Sequence, residues 1–129
     1  MNAVGIYSIH HGPQLSEREI ALLESLPDAA KLSRPATHHE LRIAIVELAK
    51  RHGYVVEVEE SSDDGFIATI ARDLRVVAHV RGNGDQTFYC QAESDTLLRQ
   101  LAEEIARVCG PQLVLPSTGD DAVLVIASN

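Results

Sequence analysis

Two pairs of adjacent histidines, His10-His11 and His38-His39, are the residues whose type most readily suggests chemistry. Imidazole binds first-row metal ions and changes charge near neutral pH. Successive helical positions are about 100° apart around the axis, so neither pair alone can face one ion; chelation from a helix needs a spacing such as i, i+4. No H-E-x-x-H occurs. A metal or acid-base site therefore requires His10, His11, His38 and His39 to come together, with Glu40 as oxygen ligand or general base. Such a site would make the chain a small metal-dependent or histidine-based hydrolase. The competing reading is of ordinary surface histidines, with Glu40 occupied in capping a helix.

His79 and Tyr89 form a second candidate, an acid/base pair on one face of a sheet, provided that face is concave. The two cysteines, Cys90 and Cys109, lack the C-x-x-C spacing of a redox or zinc motif. Cys90 is expected on the core side of its strand, away from His79. Cys109 falls at the end of a helix, where the dipole disfavours a thiolate. Two unpaired thiols in a chain long enough to bury its own core point to a reducing cytosol.

Five acids, Glu57, Glu59, Glu60, Asp63 and Asp64, fall within positions 57–64. They lack the alternating order and terminal Glu of a calcium loop. They read either as a solvated hairpin tip or as a docking patch for a basic protein, a contact that speeds encounter and weakens with salt. With Asp120 and Asp121 on the same surface, Glu57, Glu59, Asp63 and Asp64 could instead imitate a nucleic-acid backbone and block a nuclease.

The chain as a whole limits these possibilities. It has 129 residues, 45% hydrophobic and 23% charged, with 19 Asp+Glu against 11 Lys+Arg and a formal net charge of −8. A chain of this length buries roughly two-thirds of its unfolded surface, enough for one core without a metal, and no cofactor is expected. The charge repels a phosphate backbone, and an aromatic content of 4% gives no stacking platform, so no nucleic-acid partner is expected. No run approaches the roughly 18 apolar residues of a membrane span, and the N-terminus lacks a leader pattern, so the protein is expected to be soluble and cytoplasmic.

Turn and cap residues divide the chain into elements. Asn2–Ile9 alternates weakly and reads as an edge strand before Gly12-Pro13. Ser16 with Glu19, and Thr37 with Glu40, are N-cap and N3 pairs that start two helices, the second closing on Gly53. The second helix carries Leu41, Ile45 and Leu48, widened by Ile43, Ala44 and Val46, and should be covered on more than one side. Four β-favouring runs follow, Tyr54–Glu59, Phe66–Ala71, Leu74–Arg81 and Gln86–Gln91, as an antiparallel meander. A third helix, capped by Ser94 or Asp95, presents Leu97, Leu98, Leu101, Ile105 and Val108 on one face and a Glu103/Arg107 pair on the other. Leu113–Leu115 and Ala122–Ala127 make a last strand pair. The sequence thus predicts a single α+β domain over 1–129, an antiparallel sheet of about six strands packed by about three helices.

The hairpin around Gly82-Asn83-Gly84 fixes which side chains share a face. A three-residue loop pairs Val80 with Gln86, Ala78 with Phe88, Val76 with Cys90 and Leu74 with Ala92, an almost wholly apolar face. The opposite face then carries Arg75, Val77, His79, Thr87, Tyr89 and Gln91. Such a strip of polar and apolar residues marks a protein interface or a homodimer contact.

Residues 37–59, an acid-bearing helix followed by Gly53-Tyr54 and a valine-rich strand, resemble the opening of PD-(D/E)XK nuclease-type domains. In that family the next two strands supply an Asp and then a Glu-x-Lys to hold a metal. Here Phe66–Ala71 has no acid, and the third strand reads Val76-Val77-Ala78-His79. The resemblance thus implies a shared local arrangement without the nuclease chemistry. The element order is also loosely similar to small acidic secretion-chaperone domains, which close with another helix where this chain reads as strands. The expectation is a small acidic interaction module of the inhibitor, immunity or chaperone type, without catalytic activity, that binds a basic protein or a second copy of itself.

Overall fold

The computed structural model describes residues 2–8, 16–27, 33–34, 36–60, 65–83, 88–116 and 122–127. Their order is β1 (Asn2–Ser8), α1 (Glu17–Glu24), α2 (His38–His52), β2 (Val55–Glu60), β3 (Gly65–Arg72), β4 (Arg75–Asn83), β5 (Phe88–Ala92), α3 (Asp95–Cys109), β6 (Gln112–Pro116) and β7 (Val123–Val125). The fold is α+β: the described residues form three helices and one antiparallel sheet of seven strands in the order β2-β3-β4-β5-β1-β6-β7. The strand beyond the expected six is β1, which joins the meander to the C-terminal pair. No described helix is long and apolar enough to cross a membrane.

Each helix starts where its cap chemistry directs. The Thr37 hydroxyl accepts from the Glu40 amide at 3.1 Å and the Glu40 carboxylate accepts from the Thr37 amide at 3.1 Å, a reciprocal capping box. Ser16 and Ser94 accept from the amides of Glu19 and Leu97 in the same way. Helix α2 ends on Gly53 at φ 74°, a left-handed conformation open to glycine at little steric cost.

Helices α2 and α3 cover one face of the sheet. Leu41, Ala44, Ile45 and Leu48 of α2 and Leu97, Leu98, Leu101 and Ile105 of α3 join Phe66, Ala68, Ile70, Val80, Phe88, Cys90, Val4 and Ile6 in one core. Full burial of each large side chain contributes roughly 1.5–3 kcal/mol. Glu104 is the charged member of this interface, 5% exposed, held by Arg51 at 3.0 Å and by Arg107 at 2.9 Å. The expected Glu103/Arg107 pair is thereby replaced: Arg107 reaches Glu104, and Glu103 pairs with Arg99. The i, i+3 partner brings Arg107 to a carboxylate that Arg51 of α2 also needs.

Several other expectations need correction. Strand β1 lies between β5 and β6, not at an edge, because β6 joins it from far along the chain. Ile43 and Val46 of α2 stay 42% and 36% exposed, since they lie outside the sides of the helix that the sheet and α3 cover. On α3 the inward position falls to Cys109, leaving Val108 exposed.

The hairpin register is another. Val80 lies opposite Cys90 and Gly82 opposite Phe88, so Ala78 meets Ala92. The bulk of Phe88 selects the smallest partner: a Cβ on Gly82 would lie 3.0 Å from the Phe88 ring and 3.2 Å from His38 Nε2. The displacement is even, so Ala78, Val80, Cys90 and Ala92 stay on the core face.

A β-bulge changes the face of the strand end. Ile70 pairs with Ala78 but Ala71 pairs with Val76, leaving Val77 as the extra residue. Val77 turns into the core at 7% exposure and Val76 turns outward at 38%. Leu74 is not a strand residue opposite Ala92. With Asp73 it forms the turn, at φ 65° and 52°, and it is fully exposed.

Candidate functional site

The sheet face turned away from α2 and α3 is built from residues that alternate with the core positions. On β2 these are Val55, Glu57 and Glu59; on β3, Ile67, Thr69 and Ala71; on β4, Val76, His79 and Arg81. Register aligns them in three rows across the strands: Val55–Ala71–Val76, Glu57–Thr69–His79 and Glu59–Ile67–Arg81. The second row continues through Gln91 of β5 to Ala3 of β1, and the third through Tyr89 and Gly5 to Leu115 of β6. Side chains directly opposite in such rows are about 5 Å apart at Cβ, and successive rows on one strand about 7 Å apart.

A depression of about 700 Å³ opens in this face, lined by Ala3, Gly5, Tyr7, His79, Arg81, Tyr89, Gln91 and Leu115 with the adjoining Val4, Cys90 and Pro116. Its floor exists because β1 has Ala3 and Gly5 where larger residues would fill it. The Tyr7 ring folds back over Gly5, so that a Cβ there would lie 2.9 Å from the ring. Among the described residues Glu57, Glu59, His79 and Arg81 make no ion pair with one another or with a neighbour, whereas Arg34, Arg42, Lys50, Arg51, Arg75, Arg99 and Arg107 each pair with a carboxylate. The face therefore has charge of both signs still available to a partner.

Of the expected sheet-face set, His79, Tyr89 and Gln91 stand together here. Val77 and Arg75 do not. The bulge sends Val77 into the core, and Arg75 lies opposite Arg72 and bonds Glu93 at 2.8 Å. Thr87 lies outside the described residues. The acidic set divides as well. Glu57 and Glu59 stand on the open face. Glu60 lies opposite Phe66 and pairs with Arg42 of α2 at 3.2 Å, on the helix side. Asp63, Asp64, Asp120 and Asp121 lie outside the described residues, so the surface imagined for nucleic-acid mimicry is represented by Glu57 and Glu59 alone.

The histidine constellation is only partly described, because His10 and His11 lie outside the described residues. His38 packs its ring against Phe66 and Phe88, with centroids 5.5 Å and 6.4 Å away. His39 is exposed. Glu40 is doubly engaged, by the Thr37 amide and by a two-point ion pair with Arg34, whose guanidinium holds the Glu40 carboxyl down at about 2. No group of three or more His, Cys, Asp or Glu among the described residues could hold a metal ion. His79 and Tyr89 occupy neighbouring rows, with Gln91 and Arg81 as their direct partners. Burial pushes the Cys90 thiol up to about 12 and the Cys109 thiol up to about 11, so neither is a ready nucleophile.

Sequence reasoning missed Ala3, Gly5, Tyr7, Arg81 and Leu115. The signal for the first two was present: small residues at i and i+2 of a strand leave one of its faces unfilled. That signal had no value while β1 was read as an edge. Compared with protein families, curated proteins and solved structures, the chain matches no family model and shows no significant similarity to a curated protein or a solved structure.

Proposed function

We propose that this chain is a small acidic cytoplasmic interaction module of the inhibitor, immunity or chaperone type, acting by binding and not by catalysis, with the open sheet face as its docking surface. The observation that carries this reading is the exposure of Val55, Ile67, Val76 and Tyr89 at 69%, 43%, 38% and 44% on one face, interleaved with unpaired charges in register. Apolar area of this kind is favourable to cover, and the flanking charges select what covers it. The occupant is a protein surface of complementary order, with basic groups over Glu57 and Glu59, apolar groups over β3, and acidic groups over His79 and Arg81. Two free buried thiols, Cys90 and Cys109, support a reducing compartment.

The test is affinity capture from native cytosol at low and high salt, comparing the wild type with the double variant Glu57→Lys/Glu59→Lys and with Glu47→Lys on the exposed side of α2. A partner that is released by salt, lost from the double variant and kept by Glu47→Lys is the expected result. Capture that survives the double reversal, or stoichiometric zinc or iron in the purified protein, would overturn the reading.

A further inference from the structure

The three rows on β2, β3 and β4 have a property that a surface for an unrelated partner does not need: they are complementary to themselves. Acid stands on β2, a neutral residue on β3 and base on β4, in the rows Glu57–Thr69–His79 and Glu59–Ile67–Arg81. The third row, Val55–Ala71–Val76, is apolar throughout. A two-fold interface requires that residue i meet j and j meet i. A pattern that reverses its charge about a central strand meets that condition when the axis lies along the strand.

We infer that the partner of the open face is a second copy of this chain, packed sheet on sheet about a two-fold axis parallel to β3; the inference rests on the docking reading above and names its partner. The axis carries β2 of one copy over β4 of the other and β3 over β3. Row by row, Val55 meets Val76 of the second copy, Glu57 meets His79, Glu59 meets Arg81, and Ile67 meets Ile67. Aligned sheets pack about 10 Å apart, a distance that Glu and Arg side chains span from opposite sides. Neighbouring axes fail on charge: one along β4 puts Arg81 on Arg81, and one along β2 puts Glu59 on Glu59. Neither group would lose a partner within its own chain, because among the described residues Glu57, Glu59, His79 and Arg81 have no ion pair to break.

The contact is small. Three strands span only ~14 Å across the sheet. With three rows about 7 Å apart along the strands, the patch covers roughly 300 Å², less than the ~800 Å² per partner of a standard stable interface, so the dimer is weak and exchanges quickly. The formal charge of −8 on each copy opposes approach further, and the experiment belongs at about 0.15 M salt, where the Debye length is about 8 Å.

Sedimentation velocity from about 10 to about 500 µM tests the inference, a range set by the small contact area. The wild type is expected to shift from monomer towards dimer across it. Glu59→Arg and Arg81→Glu should each weaken association by about tenfold or more, because each makes both symmetric contacts like-charged. An equimolar mixture of the two variants should dimerise again, since one copy then offers two cations to two anions of the other. Circular dichroism and thermal unfolding are to check that both variants fold.

A wild type that stays monomeric, or a mixture that associates no better than its components, overturns the two-fold packing. If the wild type is monomeric yet captures a cytosolic protein that Glu57→Lys/Glu59→Lys loses, the two-fold inference fails and the docking face stands. If it neither self-associates nor captures anything through this face, both fail.

Discussion

Leu74 has the backbone of a glycine. Both it and Asp73 have φ in the left-handed region, at 65° and 52°, the geometry of a two-residue turn between Arg72 and Arg75. A Cβ in this conformation costs roughly 1–2 kcal/mol, and Leu74 recovers none of it by packing because its side chain is fully exposed. Leu74→Gly converts the turn to Asp-Gly and should raise stability by about 1 kcal/mol, read as an upward shift in Tm. At Glu40 the balance concerns charge. Its carboxyl is held at about 2 against an ordinary 4.5, first by the Arg34 guanidinium and further by the Thr37 amide and hydroxyl. A depressed carboxyl adds stability that is present in full above its unfolded value and is lost as pH falls through the folded one. Thermal unfolding from pH 6 downward should therefore show a loss of Tm that develops as pH falls from about 4.5 towards about 2. Glu40→Gln should lower Tm at neutral pH and reduce that slope.

At the scale of elements, the join between α2 and α3 depends on one carboxylate with unequal partners. Glu104 has a side-chain exposure of 7%, whereas Arg51 and Arg107 are 51% and 31% exposed. Removing the carboxylate leaves two cations that solvent can reach; removing the cations strands a buried anion. Glu104→Gln should accordingly cost about 1 kcal/mol, and Arg51→Gln/Arg107→Gln about 3 kcal/mol, by urea unfolding. Equal costs would mean that the pocket around Glu104 admits water. Much of this layer was legible beforehand, because caps are local: Ser16, Thr37 and Gly53 mark their helix ends through bonds to residues three or four positions away. What escaped was non-local. The place of β1 depends on β6, and no pattern within Asn2–Ser8 encodes a neighbour from residues 112–116. The bulge at Val77 escaped for another reason. Val76-Val77-Ala78 is apolar at every position, so either parity satisfies the core, and the structure resolves the choice by burying Val77 while Val76 faces outward.

For the whole molecule, stability should be graded from the meander to the C-terminal edge. Strands β3 and β4 pair along their length and bury Phe66, Ala68, Ile70, Ala78 and Val80 in the core. Strand β7 has three residues, and α1 has no buried side chain among its eight. A helix this short and this exposed has little to hold it by propensity alone. Among the described residues the polar tie that the structure shows from α1 to the sheet runs from the Leu124 amide of β7, which donates to the Glu19 carboxylate at 3.1 Å. That contact also satisfies a backbone group on a sheet edge, which would otherwise be open to pairing with another chain. The two elements should consequently open together and before the rest. Native-state hydrogen exchange is expected to protect β3, β4, α2 and α3 most and β7 least among the strands. Glu19→Ala should raise exchange at the Leu124 amide and across α1 by about tenfold, the loss of roughly 1.4 kcal/mol of local protection, while the slowest amides of β3 and β4 change little. A uniform rise across all strands would instead make α1 part of the same cooperative unit as the core, with Glu19 supporting the fold as a whole and not only its edge.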